Sequence, residues 1–246
     1  MPHMPGIQCL ILAGGLGTRM AKHAANVPKN LIEVHGKPFA HYQLSWLKKA
    51  GVTDIVYSIG YLGDLIRDYV GSGAAWSLSV EYVDEGDELR GTGGAVRFAY
   101  EAGVLSDEFF VMYGDSFLPI DFRPVMKAFR LVDKPALMTV FKNDGRWDKS
   151  NCIYENGMVV LYDKNGRGAG VGGFDFIDYG LSVLSKQMVN DYIPPGRKFD
   201  IAEAYNLLSR QGELAGFEVN ERFYEIGSPC GLKDFSGWVL KKGSLI

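Results

Sequence analysis

An α/β chain in three layers, with helices on both faces of a mixed, mostly parallel sheet, is predicted by three observations. Apolar runs alternate with helical patterns through the first half of the chain. The first run, Ile7–Leu12, is short and nearly continuous, as strands buried on both faces are. It ends in Ala13-Gly14-Gly15-Leu16-Gly17-Thr18-Arg19, where three glycines in four residues allow a sharp turn and close approach to bare N–H groups.

The elements follow in order. Pro38–Ala50 carries Phe39, Tyr42, Leu44 and Leu47 at helical spacing, and Gly51 ends it. Val52–Ile59 reads as a strand, Leu62–Val70 as a helix and Leu78–Val83 as an alternating strand. Gly91–Ala102 starts a helix on glycine, and Phe109–Tyr113 is another buried strand. In such sheets ligands bind beyond the carboxyl ends of the strands. The second half changes rhythm. Asp121–Val132 is an amphipathic helix, Ala136–Lys142 a strand, and Cys152–Tyr162 a hairpin turning at Asn156-Gly157. Gly166–Gly173 is a glycine-rich loop, and Phe174–Leu184 a strand interrupted near Gly180. Helices at Ile201–Ser209 and Leu232–Leu240 flank a strand pair, Ala215–Val219 and Phe223–Ile226.

Composition narrows the classes. The 246 residues are 47% hydrophobic and 22% charged, ordinary globular values. A net charge of −3 argues against a nucleic-acid or membrane partner, so local cations stand out. No apolar run reaches the ~18 residues of a membrane helix, and Met1–Gly6 lacks the layout of a secretory signal. Cys9, Cys152 and Cys230 are far apart, without metal spacing, which fits a reducing cytoplasmic setting. His3, His23, His35 and His41 form no ligand cluster. No repeat, linker or hexapeptide array breaks the chain, which reads as one domain.

The glycine turn, with Arg19 directly after it and Lys29 following Pro28, suits a polyphosphate held by amides and cations. A P-loop needs Gly-Lys-Ser/Thr, but Gly36-Lys37 continues into Pro38. A dinucleotide fingerprint needs a third glycine where Met20 stands. A glycosyltransferase of similar fold would show Asp-x-Asp at a strand end, and none occurs. Asp115 in Tyr113-Gly114-Asp115 places a carboxylate at the end of a strand, where a phosphate-bound metal needs one.

Leu12 to Arg19, Pro28-Lys29 and Val34-His35-Gly36-Lys37-Pro38 together resemble the L-A-G-G-x-G-T-R, P-K and V-x-G-K-P signature of the sugar-1-phosphate nucleotidylyltransferases. The resemblance implies a Rossmann-like nucleotidyltransferase fold, also described as GT-A-like. It divides the domain into a nucleotide-binding half, about residues 6–118, and a sugar-phosphate-binding half, about 119–246. It implies Arg19, Lys29 and Asp115 as catalytic residues, Mg²⁺ as cofactor, and an NTP plus a sugar 1-phosphate as substrates. Leu12, Ala13, Gly14, Gly15, Gly17 and Thr18 would bind the nucleotide, joined by Glu88, Gly93 and Gly94, since Glu88–Val96 resembles the family's base-receiving P-L-G-T-[AG]-G-A loop. Phe223–Pro229 resembles W-x-D-x-G-T-P, so Glu225 stands where the second metal carboxylate is Asp. Asp163-Lys164 and Asp178-Tyr179-Gly180 match sugar-phosphate motifs, and Asn151 replaces a frequent glycine there.

The compact length, GTGGA loop and FYEIGSP ending are most similar to heptose-1-phosphate guanylyltransferases, which favours GTP and a role in surface polysaccharide synthesis. Mannose-1-phosphate guanylyltransferases and N-acetylmuramate-1-phosphate uridylyltransferases are alternatives. So is a non-catalytic, nucleotide-sugar-binding regulatory paralogue, which the Glu225 departure keeps open. Homo-oligomerisation is left open.

Overall fold

The structure, a computed structural model, describes residues 6–15, 27–86, 88, 90–166 and 173–242. Arg19, Gly17 and Thr18 lie outside the described residues, as do 167–172 of the glycine-rich loop.

Strand β1 (Ile7–Leu12) leads into a 3₁₀ turn at Lys29–Leu31 and a small ribbon, β2 (Glu33–Val34) with β3 (Lys37–Pro38). Then come α1 (Phe39–Lys49), β4 (Val52–Ile59), α2 (Gly63–Val70), β5 (Ser79–Asp84), α3 (Gly91–Glu101), β6 (Glu108–Tyr113) and β7 (Ser116–Phe117). The second half runs α4 (Phe122–Leu131), β8 (Ala136–Lys142), β9 (Cys152–Glu155), β10 (Met158–Tyr162), β11 (Phe176–Ser185), α5 (Lys186–Tyr192), α6 (Ile201–Gln211), β12 (Leu214–Val219), β13 (Tyr224–Glu225) and α7 (Pro229–Lys242).

Nine of the described strands form one mixed sheet in the order β5-β4-β1-β6-β11-β8-β12-β10-β9. β5, β4, β1 and β6 are mutually parallel, while β11 runs antiparallel between β6 and β8. β1 sits inside the parallel half, so Cys9, Leu10 and Ile11 are wholly buried, which is why its sequence does not alternate. Helices α1, α2 and α4 cover one face through Leu44, Ile66 and Phe122, and α3, α5 and α6 the other through Val96, Met188 and Tyr205. The Asn156-Gly157 turn holds both residues at positive φ, 50° and 80°, the geometry a two-residue hairpin loop needs.

Three features depart from the sequence reading. The strands at 214–219 and 224–225 do not pair with each other. β12 lies parallel to β8, and β13 forms a ribbon with β7, a strand too short to read from periodicity. Helix α5 follows β11 directly, its N-terminus capped by Ser185, whose hydroxyl accepts the Met188 amide at 3.0 Å. Helix α7 begins at Pro229, earlier than the apolar pattern suggests, because proline suits a first helical turn.

Candidate active site

The parallel register brings the ends of β1, β4 and β6 level, with Leu12 opposite Ser58 and Tyr113. The amide of Ala13 donates to the Ser58 carbonyl at 2.8 Å, and that of Gly114 to the Leu12 carbonyl at 2.9 Å. Beyond these ends opens a cleft of about 350 Å³, lined by Leu12–Gly15, Lys29, Asn30, Glu85, Arg90–Thr92, Ala95, Tyr113–Asp115 and Lys198. Among the described residues, nothing stands within 4 Å of a side chain built on Gly15.

At the mouth Lys29 Nζ donates to Asp115 Oδ2 at 2.9 Å. Glu225 reaches the same place through the β7–β13 ribbon, in which it pairs with Ser116, while the Ile226 amide donates to the Asp115 carbonyl at 2.9 Å. A Cβ on Gly227 would stand 2.9 Å from Glu225 Oε2, 3.0 Å from Asp115 Oδ2 and 3.6 Å from Lys29 Nζ. The missing side chain therefore leaves a cradle framed by two carboxylates and a cation. The Gly227 amide and the Ser228 hydroxyl donate to Glu225 and orient it, and a carboxylate with two such bonds keeps lone pairs to spare. Packing fixes the ribbon: Phe117, Phe235 and Trp238 lock it to α7 and α1, with ring centroids 4.7 Å apart for Phe117–Trp238 and 4.9 Å for Phe39–Phe235.

At the opposite wall Glu85, 9% exposed, accepts the Ser58 hydroxyl at 2.6 Å and crowds Gly14. Burial raises its pKa, opposed by the Ser58 bond and the Arg90 charge. Glu88, in contrast, is exposed, pairs with Arg90 and does not line this cleft. Gly93 and Gly94 open α3 against another segment. Their amides donate to the Phe199 carbonyl at 2.9 and 3.1 Å, and a Cβ on Gly93 would strike the Phe199 ring. The space they leave admits the neighbouring segment at Phe199.

The sugar-phosphate candidates divide. Asn151 Oδ1 accepts the Asp178 amide at 2.8 Å, and Asp178 Oδ1 accepts the Gly180 amide at 2.9 Å, where β11 slips register and Gly180 adopts a φ of 90°. Burial pushes the Asp178 carboxyl up to about 6, against the Gly180 bond and the Lys164 charge. Gly180 faces the ring of Tyr113, a cleft residue. Tyr179 does not join them. Strand alternation turns it to the other face, where it is 2% exposed against Phe141 and Phe223. Asp163 accepts the Asn165 amide and closes its own turn. Lys164 pairs with Asp200, a residue with no motif to announce it. Burial alone would raise the Asp200 carboxyl, but bonds from Lys164, the Ala202 amide and Thr92 hold it below its ordinary range. The Thr92 hydroxyl donates to Asp200 at 2.9 Å and accepts the Ile201 amide at 3.0 Å, which ties the start of α3 to that of α6.

No described group of three or more histidine, cysteine or acidic side chains forms a metal cluster. No helix among the described residues is long and apolar enough to cross a membrane.

A mouth of glycine backbone, a cation and two carboxylates beyond the ends of parallel strands suits a nucleoside phosphate. Residues 8–151 match the nucleotidyl transferase family, and the chain belongs to it. It is 26% identical over 224 residues to D-glycero-alpha-D-manno-heptose 1-phosphate guanylyltransferase of Campylobacter jejuni, covering 91% of this chain and 96% of that one. It is 27% identical to N-acetylmuramate alpha-1-phosphate uridylyltransferase of Neisseria meningitidis, covering 93% and 96%. The crystal structure of HddC from Yersinia pseudotuberculosis complexed with GMP-PN superposes with a TM-score of 0.75 at 26% identity, covering 94% and 99%.

Proposed function

We propose that this enzyme transfers a nucleotidyl group from an NTP to a sugar 1-phosphate, with GTP and a heptose 1-phosphate as its substrates. The observation that carries the reading is the convergence of the Leu12–Gly15 backbone, Lys29, Asp115 and Glu225 at one mouth. A phosphate oxygen of the sugar phosphate attacks the α-phosphorus in line. The bond from that phosphorus to the bridging oxygen breaks, and pyrophosphate leaves. A phosphate monoester loses its second proton near pH ~6, so the nucleophile needs no general base. Catalysis then rests on placement and charge neutralisation.

Lys29 would hold the phosphates at the reacting centre, and Arg19, from the motif, the departing pyrophosphate. The cradle at Gly227 fits a divalent cation: Asp115 and Glu225 would hold Mg²⁺, which when bound neutralises phosphate charge. Residues 6–118 would serve the nucleotide and 119–246 the sugar phosphate, with Asn151, Asp178 and Gly180 facing the sugar.

Glu85 favours guanine. A carboxylate can accept both the N1–H and the N2 amino group, whereas uracil offers one ring N–H. Glu85→Gln should lower kcat/KM for GTP by about 10–100-fold, the scale of a lost charged hydrogen bond, and narrow its lead over UTP. Competition between the two nucleotides measures this. Asp178 predicts a pH effect with a definite sign. As pH falls through about 6 it takes a proton and stops accepting sugar hydroxyls, so KM for the sugar phosphate should rise. In Asp178→Asn that limb should vanish, leaving only the titration of the substrate itself.

Pyrophosphate release across a panel of NTPs and sugar 1-phosphates, with Mg²⁺, tests the whole reading. Turnover confined to another base or sugar would redirect it within the family, and silence across the panel would sink it.

A further inference from the structure

Asn30 sits on the 3₁₀ turn directly after Lys29 and lines the cleft, yet it is only 2% exposed. Among the described residues neither its Nδ2 donor nor its Oδ1 acceptor has a hydrogen-bond partner. Among the described residues lining the cleft, no other leaves both a donor and an acceptor in that state. Gln43, the other buried carboxamide with an unmatched atom, uses its Nε2 on the carbonyls of Tyr113 and Ser116, at 3.2 and 2.7 Å, and so braces the Asp115 turn. Asn30 braces none of the described residues through a hydrogen bond. Buried polar groups are paired in folded proteins because an unpaired one is costly. A side chain that folding leaves unpaired at the wall of a cleft is one whose partner arrives with a ligand.

The surroundings say which ligand atom. Lys29 and the Gly14–Gly15 backbone make this corner rich in donors, so what settles there is an anion with many acceptor oxygens. We infer that Asn30 is a nucleotide-binding residue whose Nδ2 donates to a phosphoryl oxygen of the triphosphate. A neutral amide adds a directed donor without adding charge beside Asp115. This rests on the proposed use of an NTP, and the test separates the two.

Titration calorimetry, with Mg²⁺ present, measures binding of GTP, inorganic tripolyphosphate and guanosine to the wild type and to Asn30→Leu. The variant should bind GTP and tripolyphosphate about tenfold more weakly and guanosine as before. Its ligand-free Tm should not fall, since the unpaired polar group has gone. Unchanged tripolyphosphate affinity, or an equal loss for guanosine, overturns the assignment while leaving the NTP reading intact. A wild type that ignores both GTP and tripolyphosphate overturns both. Asn30→Ala gives the same comparison should the leucine variant fail to fold.

Discussion

Lys29→Ala should lower kcat by about 10³-fold, the scale of removing one preorganised charge from a developing phosphoryl transition state. Lys29 is partly shielded at the mouth, its side chain 22% exposed, and its only ion-pair partner among the described residues is Asp115. It supports no core cluster, so far-UV circular dichroism and Tm should stay close to wild type. Lys29→Arg should recover little, because a planar fork cannot replace a compact ammonium 2.9 Å from Asp115. Pyrophosphate release measured beside the melting curve checks both halves, and a fully active alanine variant would remove Lys29 from the chemistry.

Gly227→Ala should cost at least about 10²-fold in Mg²⁺-dependent kcat/KM and raise the Mg²⁺ concentration needed for half-maximal rate. The added methyl would stand 2.9 Å from Glu225 Oε2 and 3.0 Å from Asp115 Oδ2, inside ordinary carbon–oxygen contact. Gly227 is not among the glycines with positive φ, so alanine brings crowding rather than backbone strain. A Mg²⁺ titration of initial rate reads the effect. An unchanged titration would show that the space between the two carboxylates is not where the cation goes.

The strands and helices of the first half and the hairpin at Asn156-Gly157 were legible because each rests on local pattern: apolar runs, helical spacing and a two-residue Asn-Gly turn. The pairing of Glu225 with Ser116 was not, since a two-residue strand has no period and its partner is more than a hundred positions away. Glu85 escaped for a related reason. A lone acid at the end of β5 carries no motif, and Glu88, three residues on, sits closer to the recognisable loop. Tyr179 could have been placed correctly from alternation alone, because Asp178 and Gly180 share one face and their neighbour must take the other. The glycines of α3 show a different limit. Gly93 and Gly94 do mark a close approach, but only the tertiary structure reveals that Phe199 is what approaches.

The route by which Glu225 reaches Asp115 also sets a timetable. During synthesis Gly14, Gly15, Lys29 and Asp115 all emerge before β8 is made. The second carboxylate cannot be set until Phe235 and Trp238 have left the ribosome and clamped the β7–β13 ribbon. Placement of Glu225 therefore waits on α7, a helix that begins more than a hundred residues after the β7 strand it clamps.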